Sequence, residues 1–364
     1  MDLMNYDDVV KHFKKTNRVP NLLMGNGFSI SYNPSIFSYN ALSSFIDSTN
    51  DKDLKTLFHV IKTSNFEQII KEIDLFIKLI EAFDNQSDIK ERLKVLSDKL
   101  KTLLIEAVEN SHPEHVFSIP QNKIDSCSDF LKYFTESKGK IFSTNYDLLL
   151  YWVLMRSNNQ NCIDGFGRDK EDGQEFIPSE EADYSELRWG KHKEEQNIFY
   201  LHGALHLFDM FNEIVKQEYD GKNYLMEQIQ KLMNKGTYPI FVTAGNGDEK
   251  LNHIKHNYYL AYCYDSLCNI SGFLITYGFN FGEYDEHIIE AINKAARQDI
   301  TKKLWSVYIG VYSEDDKKHI ESIESKFKCK DIFLIQRLQR FGIIFDFIFM
   351  NMEQRNGNKR NKDI

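Results

Sequence analysis

The feature that most constrains this chain is an alternation. Short apolar runs flanked by glycine or polar turns recur, with segments of helical period between them. The runs are Asn21–Met24 (NLLM), Lys140–Ser143 (KIFS), Asn197–Leu201 (NIFYL), Pro239–Thr243 (PIFVT), Phe273–Tyr277 (FLITY), Trp305–Ile309 (WSVYI) and Ile332–Ile335 (IFLI). A strand covered by helices on both faces has no wet side, so it reads as continuously apolar rather than alternating. Strands of that kind separated by helices predict an α/β fold built on a parallel sheet.

The 364 residues are read as one large α/β domain spanning 1–364. From Asp51 to Val108 the pattern changes: Phe66, Ile69, Ile70, Ile73, Phe76, Ile77 and Ile80 recur at spacings of three and four, as on one face of a helix. The stretch 51–135 is therefore expected to be a helical insertion or subdomain, serving as a cover, an oligomer contact or a layer on the sheet. Arg168–Glu195 is acid-rich and without period, and is expected to be a long surface loop. The basic run at 355–364 is expected to be a flexible tail.

Composition narrows the classes. A formal net charge of −9 argues against a large phosphate-backbone footprint, so no strong nucleic-acid signature is expected. Five scattered cysteines without a CxxC pair fit reduced thiols in the cytoplasm, and no metal is expected. No stretch approaches the ~18 consecutive apolar residues of a spanning helix, and no membrane association is expected.

Four motifs carry chemistry. Gly25-Asn26-Gly27-Phe28-Ser29 follows the first strand at a position where glycines permit a tight turn and close approach to a phosphate. Ile30 stands where a dehydrogenase fingerprint has its third glycine, which points away from hydride transfer. Ser143-Thr144-Asn145-Tyr146-Asp147 ends the KIFS strand; side chains at the carboxyl ends of parallel strands face the ligand crevice, although Asn145 and Asp147 could equally cap the next helix. His202-Gly203 ends the NIFYL strand and supplies an imidazole suited to general-base work. Gly278-Phe279-Asn280-Phe281, with Asp285, Glu286, His287 and Ile288 beyond, forms a second strand–loop–helix joint.

In this order and placement the four motifs resemble the sirtuin-like clan, from about Asn21 to Ile309. They look closest to bacterial members that lack a zinc ribbon, many of them encoded in phage-defence loci. The resemblance implies a Rossmann-like fold and NAD as substrate. It implies that Gly25, Asn26, Gly27, Phe28, Ser29 and Thr144 hold the diphosphate and neighbouring ribose. Asn145 and Asp147 would line the nicotinamide-ribose pocket, His202 would act as base, and Gly278, Asn280 and Asp285 would serve the adenosine half. Asn145, His202 and Asp147 are the expected catalytic set.

Deacetylating sirtuins carry four zinc-binding cysteines after the HG motif. Between Gly203 and Gly272 only Cys263 and Cys268 occur, which places deacylation in doubt. The expected activity is hydrolysis of NAD to ADP-ribose and nicotinamide, in an effector of antiphage defence acting by NAD depletion. The competing readings are a sensor that binds NAD or ADP-ribose without cleaving it, and a protein deacylase or ADP-ribosyltransferase. Analogy with the clan adds a homo-oligomer and, as a further partner, a HerA-type ATPase or another defence protein.

Overall fold

A computed structural model describes residues 3–4, 8–9, 18–32, 51–61, 66–83, 88–110, 116–157, 161–168, 187–210, 212–219, 224–242, 247–282, 284–296 and 304–336. The basic tail at 355–364 and residues 169–186 of the acidic loop lie outside them. In chain order the strands are β1 (Leu3–Met4), β2 (Pro20–Met24), β3 (Ile141–Ser143), β4 (Phe166–Gly167), β5 (Leu187–Trp189) and β6 (Ile198–Tyr200). They continue with β7 (Gly203–Asp209), β8 (Ile214–Lys216), β9 (Pro239–Phe241), β10 (Gly272–Tyr277), β11 (Leu304–Val311) and β12 (Asp331–Gln336).

Seven of these strands form one sheet in the order β1-β12-β11-β10-β2-β3-β6, and every pairing in it is parallel. From β2 the chain steps outward one way through β3 to β6, then crosses back and steps the other way through β10, β11 and β12. That is the doubly wound, Rossmann-like order, and its reversal falls between β2 and β10. Continuous apolarity has the expected cause: every residue of β2 and of β10 is buried.

Register then aligns four strand ends. Tyr277 pairs with Met24, Met24 with Ser143, and Ser143 with Tyr200. The loops after β10, β2, β3 and β6 therefore leave the sheet at one level, side by side. One side chain helps to hold this alignment from the opposite edge. Buried Asn21 donates from Nδ2 to the carbonyls of Ser271 (2.8 Å) and Phe273 (3.1 Å), and its Oδ1 accepts from the Lys140 N–H (3.2 Å). It ties β2 to both neighbours while leaving none of its own polar groups stranded in the core.

Helices supply the flanking layers. Gln121–Thr135 lies against β2 and β3 and buries Ile124, Cys127, Phe130, Leu131 and Phe134. Glu286–Ala295 buries Ile288, Ile289, Ala291 and Ile292 and packs on Tyr258–Cys268. The block from Asp51 onward comprises helices Lys52–Ile61, Phe66–Phe83 and Asp88–Asn110, the last two packed on each other. Ile69, Ile73 and Ile77 are buried, as their spacing predicts, whereas Phe76 of the same series is exposed.

Two expectations need correction. Pro239–Thr243 does not add a parallel strand: β9 belongs to a separate antiparallel sheet, β4-β5-β8-β7-β9, where it pairs with β7. An apolar run reports burial on both faces and carries no information about the direction of its partner. The acidic stretch is also not loop throughout, because Leu187–Trp189 forms β5, paired with β4 and β8. Within the described residues, no helix is long and apolar enough to cross a membrane.

Candidate functional site

The sheet order reverses between β2 and β10. Gly25 follows β2 and the helix Asn26–Tyr32 begins at once. Gly25 N–H donates to the Tyr277 carbonyl (3.0 Å) and Gly27 N–H to the Gly278 carbonyl (2.9 Å). A Cβ on Gly25 would lie 2.6 Å from the Gly278 oxygen, and one on Gly27 would lie 2.6 Å from the Gly278 Cα. Gly278 itself has φ +63°, a region L side chains avoid. These three glycines let the β2 and β10 loops touch backbone to backbone, and two of their N–H groups are thereby engaged. Phe28 packs edge-on against Tyr277, with ring centroids 6.0 Å apart. Asn26 and Gly27 are partly accessible, and Gly278 and Asn280 are exposed.

One position along the sheet, Thr144 closes back on β2. Its N–H (3.0 Å) and its Oγ1 (3.2 Å) both donate to the Met24 carbonyl. Asn145 follows, buried, and its Nδ2 donates to Ser29 Oγ at 3.0 Å. Ser29 Oγ in turn donates to Asp147 Oδ2 at 2.6 Å. Asp147 Oδ1 accepts the Leu149 N–H at 2.9 Å, at the start of the helix Leu149–Arg156. The N-cap position itself is Leu148, which makes no side-chain cap, so Asp147 does not cap the helix; it lies one residue before the cap, accepts the first helical N–H and anchors Ser29. Burial lifts its carboxyl to about 6, against the hydrogen bonds from Ser29 and Leu149, which favour the charged form.

The chain Asn145→Ser29→Asp147 fixes which way the Asn145 amide points. With Nδ2 committed to Ser29, the Oδ1 lone pairs are what remains, and this oxygen is buried with no partner among the described residues. A buried acceptor left open costs about 1–3 kcal/mol. At the carboxyl edge of a strand next to the sheet's switch point, such an atom is suited to receive a donor from a ligand.

His202 occupies the equivalent place one strand over. Asn145 lies two residues beyond Ser143 and His202 two beyond Tyr200, and Ser143 pairs with Tyr200. Gly203 is needed for the next turn. Its φ is +81°, and a Cβ there would sit 1.8 Å from the Ile240 oxygen, so the glycine lets β6 hand over to β7 against the backbone of β9. The Tyr146 ring lies 6.3 Å from that of His202, and its hydroxyl donates to the Val242 carbonyl. The backbone carbonyl of His202 accepts the Val242 N–H at 2.9 Å.

The sequence reading missed the imidazole partner. His202 Nε2 lies 2.8 Å from Nε2 of His287, in the first turn of Glu286–Ala295. Burial is the main reason both rings resist protonation. His202 is held well below the usual histidine range, with His287 and Lys250 adding to the effect, and His287 is lowered to about 3, again with help from Lys250. Lys250 Nζ is 3.1 Å from Asp285 Oδ1, so Asp285 faces a lysine. His287 carried a signal in the sequence, since it belongs to the DEHI segment already singled out, on the apolar side of an amphipathic helix. Among the described residues, no group of three or more His, Cys, Asp or Glu gathers as metal ligands would.

Compared with known proteins, residues 22–341 match a family described as a domain of unknown function, DUF4917. No curated protein matches the chain.

Proposed function

We propose that this chain, which belongs to the DUF4917 family, binds NAD across the β2/β10 switch point and hydrolyses its nicotinamide–ribose bond. The observation that carries the reading is the locked amide of Asn145. A buried Oδ1 with no partner among the described residues stands just beyond the carboxyl end of β3, level with an imidazole just beyond that of β6. The strand order supports it, since doubly wound sheets take dinucleotides at this place.

In this reading Asn145 Oδ1 accepts a hydrogen bond from a ribose hydroxyl or from the attacking water, and His202 accepts a proton. Both groups follow two residues after a buried strand of the sheet, which holds reacting atoms closer to place than a long free loop would. Positioned proton transfer of this kind typically contributes about 10²–10⁴-fold. Ser29 and Asp147 act behind Asn145 by fixing its amide. With two of the glycine N–H groups engaged between loops, the diphosphate would be met at Asn26, the partly accessible residue that opens the helix.

The test is nicotinamide release from NAD by the purified protein, with binding of NAD and ADP-ribose followed by calorimetry. Asn145→Ala and His202→Ala are expected to abolish turnover while far-UV circular dichroism stays unchanged. Parental rates in both variants would refute the assignment, and a protein that binds neither nucleotide would refute the site. We further propose a role as an antiphage effector acting by NAD depletion, which rests on the family resemblance. Its test is cellular NAD after phage challenge, in cells expressing the parental chain or His202→Ala.

A further inference from the structure

The geometry of the two histidines carries a deeper reading of the proposed site. A ring nitrogen lies about 1.15 Å from the centroid of its own imidazole, so two rings joined head-on at 2.8 Å should have centroids about 5.1 Å apart. The observed centroid separation is 5.1 Å, with the planes inclined at 27°. The Nε2–Nε2 line therefore runs through both ring centres. The rings do not stack; each points a nitrogen straight at the other.

A straight N···N contact of 2.8 Å between two neutral imidazoles holds one proton. The two outward nitrogens are then complementary: if one Nδ1 is bare, the other carries hydrogen. His287 Nδ1 is buried and has no partner among the described residues. The backbone around it is fixed independently, because Tyr264 Oη donates to the His287 carbonyl at 3.1 Å. Lys250, paired with Asp285, is the cation beside the pair. For His202 to accept a proton from a ligand, its own Nδ1 must be bare, and its Nε2 proton must have somewhere to go.

We propose that His287 is a positioning residue that sets the tautomer of His202: His287 Nε2 accepts the His202 Nε2–H and so leaves His202 Nδ1 as the basic atom. This rests on the reading of His202 as the base in NAD cleavage. The proton leaving a ligand hydroxyl forms a bond to His202 Nδ1. The resulting imidazolium keeps its Nε2–H in the bond to His287, whose ring shares the charge without taking part at the substrate.

The decisive measurement needs no substrate. In ¹⁵N-histidine-labelled protein, with His202 assigned by its loss in His202→Gln, the expected spectrum has a bare, pyridine-type Nδ1 and a protonated, pyrrole-type Nε2 at His202. A pyrrole-type Nδ1 at His202 overturns the proposal. In nicotinamide release, His287→Leu should lower kcat by about 10²-fold with KM close to parental, and His287→Gln, which retains a carbonyl acceptor, should recover part of the loss. An unchanged kcat in His287→Leu also overturns it. If the parental protein releases no nicotinamide, the NAD reading falls, and the ¹⁵N spectrum still decides the tautomer.

Discussion

Ser29→Ala removes one hydroxyl and breaks two buried hydrogen bonds. Ser29 Oγ donates to Asp147 Oδ2 at 2.6 Å and accepts from Asn145 Nδ2 at 3.0 Å. A hydrogen bond to a charged group contributes about 1.5–3 kcal/mol and a neutral one about 1 kcal/mol. With Asp147 ionised, the expected loss is therefore about 2.5–4 kcal/mol. The pH dependence has a definite sign. Burial raises the Asp147 carboxyl from 3.8 to about 6 and Ser29 opposes that rise, so removing Ser29 raises it further. A group whose folded pKa is raised contributes stability at low pH that is lost as pH climbs through the folded value. The variant's deficit should accordingly grow from pH 5, where the carboxyl is largely neutral and the loss is about 2 kcal/mol, to pH 8. Urea unfolding of parent and variant at both pH values reads this directly from the midpoints, provided the slopes agree. Comparison at a common pH cancels the contributions of His202 and His287. Equal deficits at pH 5 and pH 8, or a deficit below about 1 kcal/mol at pH 8, would refute the idea that Ser29 clamps a buried carboxylate.

Two further outcomes follow from the same geometry. Gly278→Ala places a Cβ 2.5 Å from the Gly27 backbone at φ +63° and should cost well over 2 kcal/mol. Gly236→Ala, also at positive φ but with nothing within 4 Å, should cost only about 1–2 kcal/mol; thermal melts compare the pair, and equal losses would remove the case for loop-to-loop contact. The buried imidazoles predict an acid limb. Their folded pKa values lie below the unfolded value of 6.5, His287 at about 3, so the stability they contribute is present above pH 6.5 and lost as pH falls toward 3. Each histidine can add up to about 1.4 kcal/mol per pH unit over that window. The double variant His202→Gln, His287→Leu should flatten the limb in urea titrations between pH 7 and pH 4, and an unaltered slope would contradict neutral burial.

What the sequence discloses and what it hides divide along a physical line. β2 and β10 are legible because burial on both faces is written locally, residue after residue, as an apolar run. β7 is not legible, since Gly203 is the break that turns NIFYLHGALHLF into strands of two different sheets, and its requirement comes from the Ile240 carbonyl across the sheet. β5 is hidden for another reason: three half-buried residues leave no period to read. Asn145 and His202 could be picked out because each follows a strand end, and strand ends in a parallel sheet face one edge. Nothing local to Asn145 reveals that Ser29 and Asp147 hold its amide.

The His202–His287 contact joins residues 85 positions apart, and this separation sharpens what the site needs in order to work. Each ring alone is a buried histidine of the kind common in cores. Paired head-on, they share one proton between two rings, so under the proposed tautomer the protonation state at the sheet edge would be decided by a helix that belongs to the other half of the fold. The same holds on the other side of the crevice, where Ser29 in the β2 loop orients Asn145 in the β3 loop. On the proposed function, chemistry at the carboxyl edge of β3 and β6 would therefore be conditional on the closure of β2 against β10, which the three glycines make possible. A substitution that loosened that closure should disable the proposed site while leaving β3 and β6 themselves in place.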